Sequence, residues 1–78
     1  MNKLPILKPQ RIIKIFERLG FYIRRQKGSH VIMIKDDDPV HQIVIPLHRK
    51  DITRATLRSI IRQAGLTPEE FNRLRRGK

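Results

Sequence analysis

At 78 residues with 38% hydrophobic side chains, the chain can bury one small core and is too short for two domains. It has no cysteine, which excludes a disulfide framework and a thiolate metal centre. Eighteen lysines and arginines against seven acidic residues give a formal charge of +11 and an isoelectric point near 11.4.

A field of that sign attracts polyanions, nucleic acid first and an anionic membrane or acidic protein second. Arginine outnumbers lysine, which suits bidentate phosphate recognition. No apolar run is long enough to span a membrane, and Met1–Pro5 lacks the apolar core of a secretory signal. A soluble cytoplasmic protein is the simple expectation.

Residues 1–8 read as a mobile or extended lead-in, with Pro5 and Pro9 interrupting regular structure. Pro9 suits the first turn of a helix, and Ile12, Ile13, Phe16 and Leu19 follow at helical spacing. Arg11, Lys14 and Arg18 form its outward face, and Gly20 ends it in a left-handed conformation. Phe21–Gln26 reads as a strand, Lys27-Gly28-Ser29 as a turn and His30–Lys35 as a second strand. Asp36-Asp37-Asp38-Pro39 signals a loop, followed by a third strand from His41 to Ile45.

A second helix begins near Asp51 or Thr53, either of which can cap it. Leu57, Ile60, Ile61 and Ala64 form its apolar stripe, and Gly65 ends it. Thr67-Pro68-Glu69-Glu70 is a fresh helix start with a capping threonine and a glutamate three residues on. The short helix that follows reaches Arg75 and buries Phe71 and Leu74, leaving residues 76–78 as a basic tail; Arg73 and Arg75 are assigned to the same frayed tail. The expected fold is α+β, in the order α-β-β-β-α plus a short C-terminal helix. Its three-stranded antiparallel sheet carries the helices on one face.

The residues that can carry chemistry gather at Arg25-Gln26-Lys27-Gly28-Ser29-His30. Histidine gives or takes a proton near neutral pH, and Arg24, Arg25 and Lys27 beside it favour an anionic substrate. Arg54, Arg58 and Arg62 recur every four residues and line one face of the second helix. No acid at helical spacing pairs with Arg58 or Arg62, so the row suits phosphates, or an acidic protein surface, better than a solvated face. Asp36-Asp37-Asp38 lacks calcium-loop spacing and reads as a hairpin loop, so neither a metal nor a cofactor is expected. His41 reads as a solvated strand residue.

The series Leu19-Gly20-Phe21, Arg25-Gln26-Lys27-Gly28-Ser29-His30, Ile45-Pro46-Leu47-His48, Thr56-Leu57-Arg58-Ser59-Ile60, Gln63-Ala64-Gly65 and Glu70-Phe71 closely resembles the HicA toxins. These are messenger-RNA interferases of toxin–antitoxin pairs, and the resemblance covers about residues 10–74, within a domain at residues 9–75. It implies a double-stranded-RNA-binding-domain-like fold, catalysis by the histidine after Gly-Ser (here His30), and a HicB-like antitoxin covering the site. Most of the family is shorter at the N-terminus, so the lead-in to Pro9 departs from the pattern.

Metal-free RNA cleavage needs a base for the 2′-hydroxyl proton, an acid for the leaving 5′-oxygen and cations for the phosphorane charge. His30 can be either base or acid. Arg24, Lys27 and the amides of Gly28 and Ser29 can hold the phosphate, because consecutive turn amides make anion-binding concavities. Glycine at position 28 also lets the RNA backbone approach closely. His48 can be the complementary acid or can orient the loop into the second helix. The competing readings are a non-catalytic RNA-binding module of the same fold and a protein-binding adaptor.

Overall fold

The computed structural model describes residues 4–48 and 50–76, without the side chains of residues 38–40. Residues 1–3 of the expected lead-in, and Gly77 and Lys78 of the expected tail, lie outside the described residues.

Helix α1 spans Pro9–Arg18, with Pro9 in its first turn, where a missing N–H costs nothing. Its buried stripe is Ile12, Ile15 and Phe16; Ile13, expected on that stripe, is only partly buried against the core. Helix α2 spans Arg54–Gln63, capped by the Thr53 side chain, which accepts from the Thr56 N–H. Helix α3 spans Pro68–Arg75 and opens with a full capping box between Thr67 and Glu70. The Thr67 N–H donates to the Glu70 carboxylate at 2.8 Å and holds that carboxyl below its ordinary range.

The first two helices end alike. The Gly20 N–H donates to the Glu17 carbonyl and the Phe21 N–H to the Phe16 carbonyl; Gly65 and Leu66 repeat this with Arg62 and Ile61. These are Schellman closures, which need a residue with positive φ after the cap. Gly20 and Gly65 supply it, at 97° and 76°. The first closure turns Phe21 back onto Phe16 with ring centroids 5.4 Å apart, and Phe71 of α3 reaches the same ring at 5.8 Å. All three phenylalanines of the chain thus meet at one point of the core.

The sheet is an antiparallel meander of β1 (Tyr22–Lys27), β2 (His30–Lys35) and β3 (Asp38–Pro46), in that order. Two strand limits differ from the sequence reading. Phe21 precedes β1 and is buried, while Lys27 stays in the ladder opposite His30, because the turn holds only Gly28 and Ser29. β3 begins at Asp38, paired with Lys35, rather than at His41. An edge strand tolerates Pro39, whose absent N–H would otherwise break a ladder bond.

Val31 and Met33 of β2 and Ile43 and Ile45 of β3 point into the core with Leu57, Ile60 and Ile61 of α2. The helices lie on this one face. They do not cover β1, which is exposed along its whole length. The result is the α+β architecture of a double-stranded-RNA-binding-domain-like fold.

Of the two forms open to the lead-in, residues 4–8 take the extended one: Leu4 is buried, and Leu7 forms an antiparallel bridge with Ile52. Two expectations change at the margins. The Arg75 end of α3 is not frayed, since its guanidinium donates to Asn72 at 2.9 Å and its carbonyl accepts from Arg11. Leu74 is only half-buried, and Asn72 takes the buried position beside Phe71.

His41 is half-buried rather than solvated, because it faces the core side of β3 at the end of α2. A Cβ built on Gly65 would stand 3.1 Å from its Nε2. Gly65→Ala therefore meets two costs, about 1–2 kcal/mol for a left-handed alanine and a further one for the crowded ring. The expected thermal midpoint is lower by roughly 4–8 °C per kcal/mol. In a His41→Ala background, measured against His41→Ala alone, the same change should cost less, with only the backbone part remaining.

Candidate active site

The Gly28–Ser29 turn joins β1 to β2 in two residues. Gly28 has φ 60°, as the first central position of a type II′ turn demands, and open space surrounds it. The Gln26 side chain braces the turn by donating to the Gly28 carbonyl at 3.2 Å. Immediately after it, His30 opens the central strand, flanked by Lys27 on one side and Pro46 on the other.

Alternation then fixes which face His30 uses. Val31 and Met33 point to the helices, so His30, Ile32 and Ile34 point away from them. Lys27 and Arg25, paired opposite His30 and Ile32, share that open face, while Arg24 occupies the bulge in β1. Tyr22 lies beyond the bulge. Its hydroxyl donates to Asp36 at 2.7 Å, and that bond to a carboxylate raises the phenol above its ordinary range.

His48 comes to the same place from the other side. After β3 the chain bends so that the Leu47 N–H donates to the Ser29 carbonyl. His48 Nδ1 then sits 3.3 Å from Ser29 Oγ, and its ring meets that of His30 edge to face, centroids 5.8 Å apart and planes at 61°. Both histidines are exposed and Ser29 is half-buried. The structure thus unites Lys27, Gly28, Ser29, His30 and His48 at one end of the sheet.

The arginine row is divided. Arg54 donates through Nε to the Leu4 carbonyl at 2.6 Å and so holds the lead-in against α2. Arg58 and Arg62 border a shallow groove with Ile61, Leu66, Thr67 and Pro68 at the α2–α3 junction. Arg62 lies about 12 Å further along the helix axis than Arg54. Asp36 and Asp37 form the β2–β3 turn, and among the described residues no three His, Cys, Asp or Glu side chains cluster as metal ligands would.

A groove of about 650 Å³ lined by Leu19, Leu66, Glu70, Arg73, Leu74 and Arg76 contains neither histidine. The histidine site is open surface. That shape suits a polymer, whereas small molecules need a cleft that buries them.

The family model described as the HicA toxin of bacterial toxin–antitoxin systems matches residues 9–66. The chain belongs to the HicA toxin family. It is therefore a toxin of a toxin–antitoxin system, and an antitoxin partner goes with that role. No curated protein matches it. In this HicA protein the sequence reading had both histidines and the cations beside His30, but not the bracing role of Gln26. Nothing in the sequence marks that brace.

The row of arginines separates by role in a thermal melt. Arg54→Ala loses the tie to Leu4 and should lower the midpoint by several degrees, whereas Arg58→Ala and Arg62→Ala should each stay within about 0.5 kcal/mol of the parent. Equal losses at all three positions would show that the row is structural throughout.

Proposed function

We propose that this toxin is a metal-independent endoribonuclease that cleaves messenger RNA in the cytoplasm and arrests translation. A HicB-like antitoxin would neutralise it by covering the histidine site. The observation that best supports the reading is the meeting of His30 and His48 over the Gly28–Ser29 turn, two proton-transfer groups on one open, basic surface.

His30 acts on the 2′-hydroxyl. It removes the proton while the oxygen attacks the adjacent phosphorus, leaving a 2′,3′-cyclic phosphate and a free 5′-hydroxyl. Lys27, its neighbour across the hairpin, and the turn amides of Gly28 and Ser29 offset the growing phosphorane charge. Arg24 on the exposed bulge contacts a phosphate further along the strand, and Arg58 and Arg62, on the helix layer behind the sheet, offer phosphate contacts away from the cut. These contacts carry no base identity, so cleavage tolerates many sequences.

The purified toxin should cut RNA in EDTA, and His30→Ala should slow cleavage by about 10²–10⁴-fold while keeping the parental melting curve. A His30→Ala protein as fast as the parent overturns the assignment. RNA that the parent retards on a gel but leaves intact, with affinity falling steeply in salt, marks a binding module instead.

A further inference from the structure

We infer that His48 is the general acid of the cleavage and that Ser29 is its positioning residue. The inference rests on the ribonuclease reading above and divides its two proton transfers between two side chains. One proton leaves the 2′-oxygen while another reaches the 5′-oxygen, and these oxygens lie on opposite sides of phosphorus in an in-line displacement. A single imidazole beside the 2′-oxygen cannot also protonate the far one in the same step.

The geometry supplies the second group. With ring centroids 5.8 Å apart, His30 and His48 can both reach one phosphate, each nitrogen coming within about 3 Å of its own oxygen. Lys27 faces the same space, but an ammonium is a far weaker acid than an imidazolium, so the imidazole is the better proton donor. Lys27 stabilises charge; His48 moves the proton.

Ser29 determines which proton moves. When His48 is protonated, as a general acid must be, both ring nitrogens donate, so Ser29 Oγ, 3.3 Å from Nδ1, accepts the Nδ1–H and leaves Nε2 to meet substrate. With Nδ1 held on Ser29, the proton given to substrate is the one on Nε2. Two backbone constraints hold the pair in place: the Leu47 N–H donates to the Ser29 carbonyl, and Pro46 is paired with His30.

In the step as drawn, the O2′–P bond forms as the P–O5′ bond breaks. His30 takes the 2′ proton, His48 Nε2 gives its proton to the departing 5′-oxygen, and water afterwards restores both rings. No oxidant, reductant or co-reactant is needed.

The test replaces the leaving oxygen with sulfur. An RNA oligonucleotide with a single 5′-bridging phosphorothiolate expels a thiolate, whose ordinary pKa near 8.5 lets it leave without an acid. On all-oxygen RNA, His48→Ala and His48→Gln should both be slower than the parent by about 10²–10⁴-fold. On the sulfur substrate both should come within a few-fold of the parent, while His30→Ala stays impaired. Ser29→Ala should show a smaller loss on oxygen that vanishes on sulfur, and Ser29→Thr should retain activity on both.

Three outcomes overturn the inference while the ribonuclease reading stands. These are His48 variants at the parental rate on oxygen RNA, His48 variants equally slow on sulfur, or rescue of His30→Ala instead. A parent protein that cuts neither substrate overturns both the inference and the reading beneath it.

Discussion

The register of β2 against its two neighbours is the constraint on which the rest of the structure depends. A two-residue turn with positive φ at Gly28 sets Lys27 opposite His30, and from that pair every later partner follows by alternation. Slipping β2 by one residue would move Val31 and Met33 out of the core and turn His30 inward beneath the helices. Core and site are therefore specified by the same ladder, and the burial of Val31, Met33, Ile43 and Ile45 holds His30 on the open face.

The charge of the chain divides between scaffold and surface. Arg11 and Arg18 of α1 donate to the carbonyls of Arg75 and Leu74 at the end of α3. Arg54 holds Leu4, and Arg75 holds Asn72. Three of these guanidinium groups thus tie together segments distant in sequence, and the fourth braces the last turn of α3. Arg24, Arg25 and Lys27 stand on a hairpin strand that no helix covers, and Arg58 and Arg62 stand exposed on α2. The net charge alone could not make this division, because a guanidinium that caps a helix and one that stays on the open surface look the same in a sequence.

Much of the fold was legible because local signals and tertiary packing agreed. Gly20 takes the left-handed conformation expected of it, Gly28 and Gly65 stand in the turn and at the helix end where they were placed, and Thr53 and Thr67 cap the helices that they precede. Failures occurred where a distant contact overruled a local rule. Leu4 and Leu7 sit in a proline-punctuated lead-in, yet a pairing with Ile52 and a bond from Arg54 bring them onto the core. Pro39 suggested a loop, but edge position in the sheet lets a strand run through it. His41 looked polar and exposed until the end of α2 closed over it, with Gly65 against its ring.

The site was half legible, for a reason of topology. His30 announced itself locally, through a glycine turn and neighbouring cations, although Val31–Ile34 is apolar on both faces and alternation within β2 alone could not say which way it pointed. His48 lies 18 residues further on and carries no local mark beyond a proline two residues before it. What joins them is the meander itself: the start of a central strand must face the end of the next, so residues just beyond β3 return to the turn that precedes β2. Once His30 is paired with Pro46, the bond from the Leu47 amide to the Ser29 carbonyl has only a short bend to close, and His48 arrives beside Ser29 as a consequence. The histidine pair is thus a property of strand order and register, carried by two sequence motifs that gain a shared meaning only when the sheet forms.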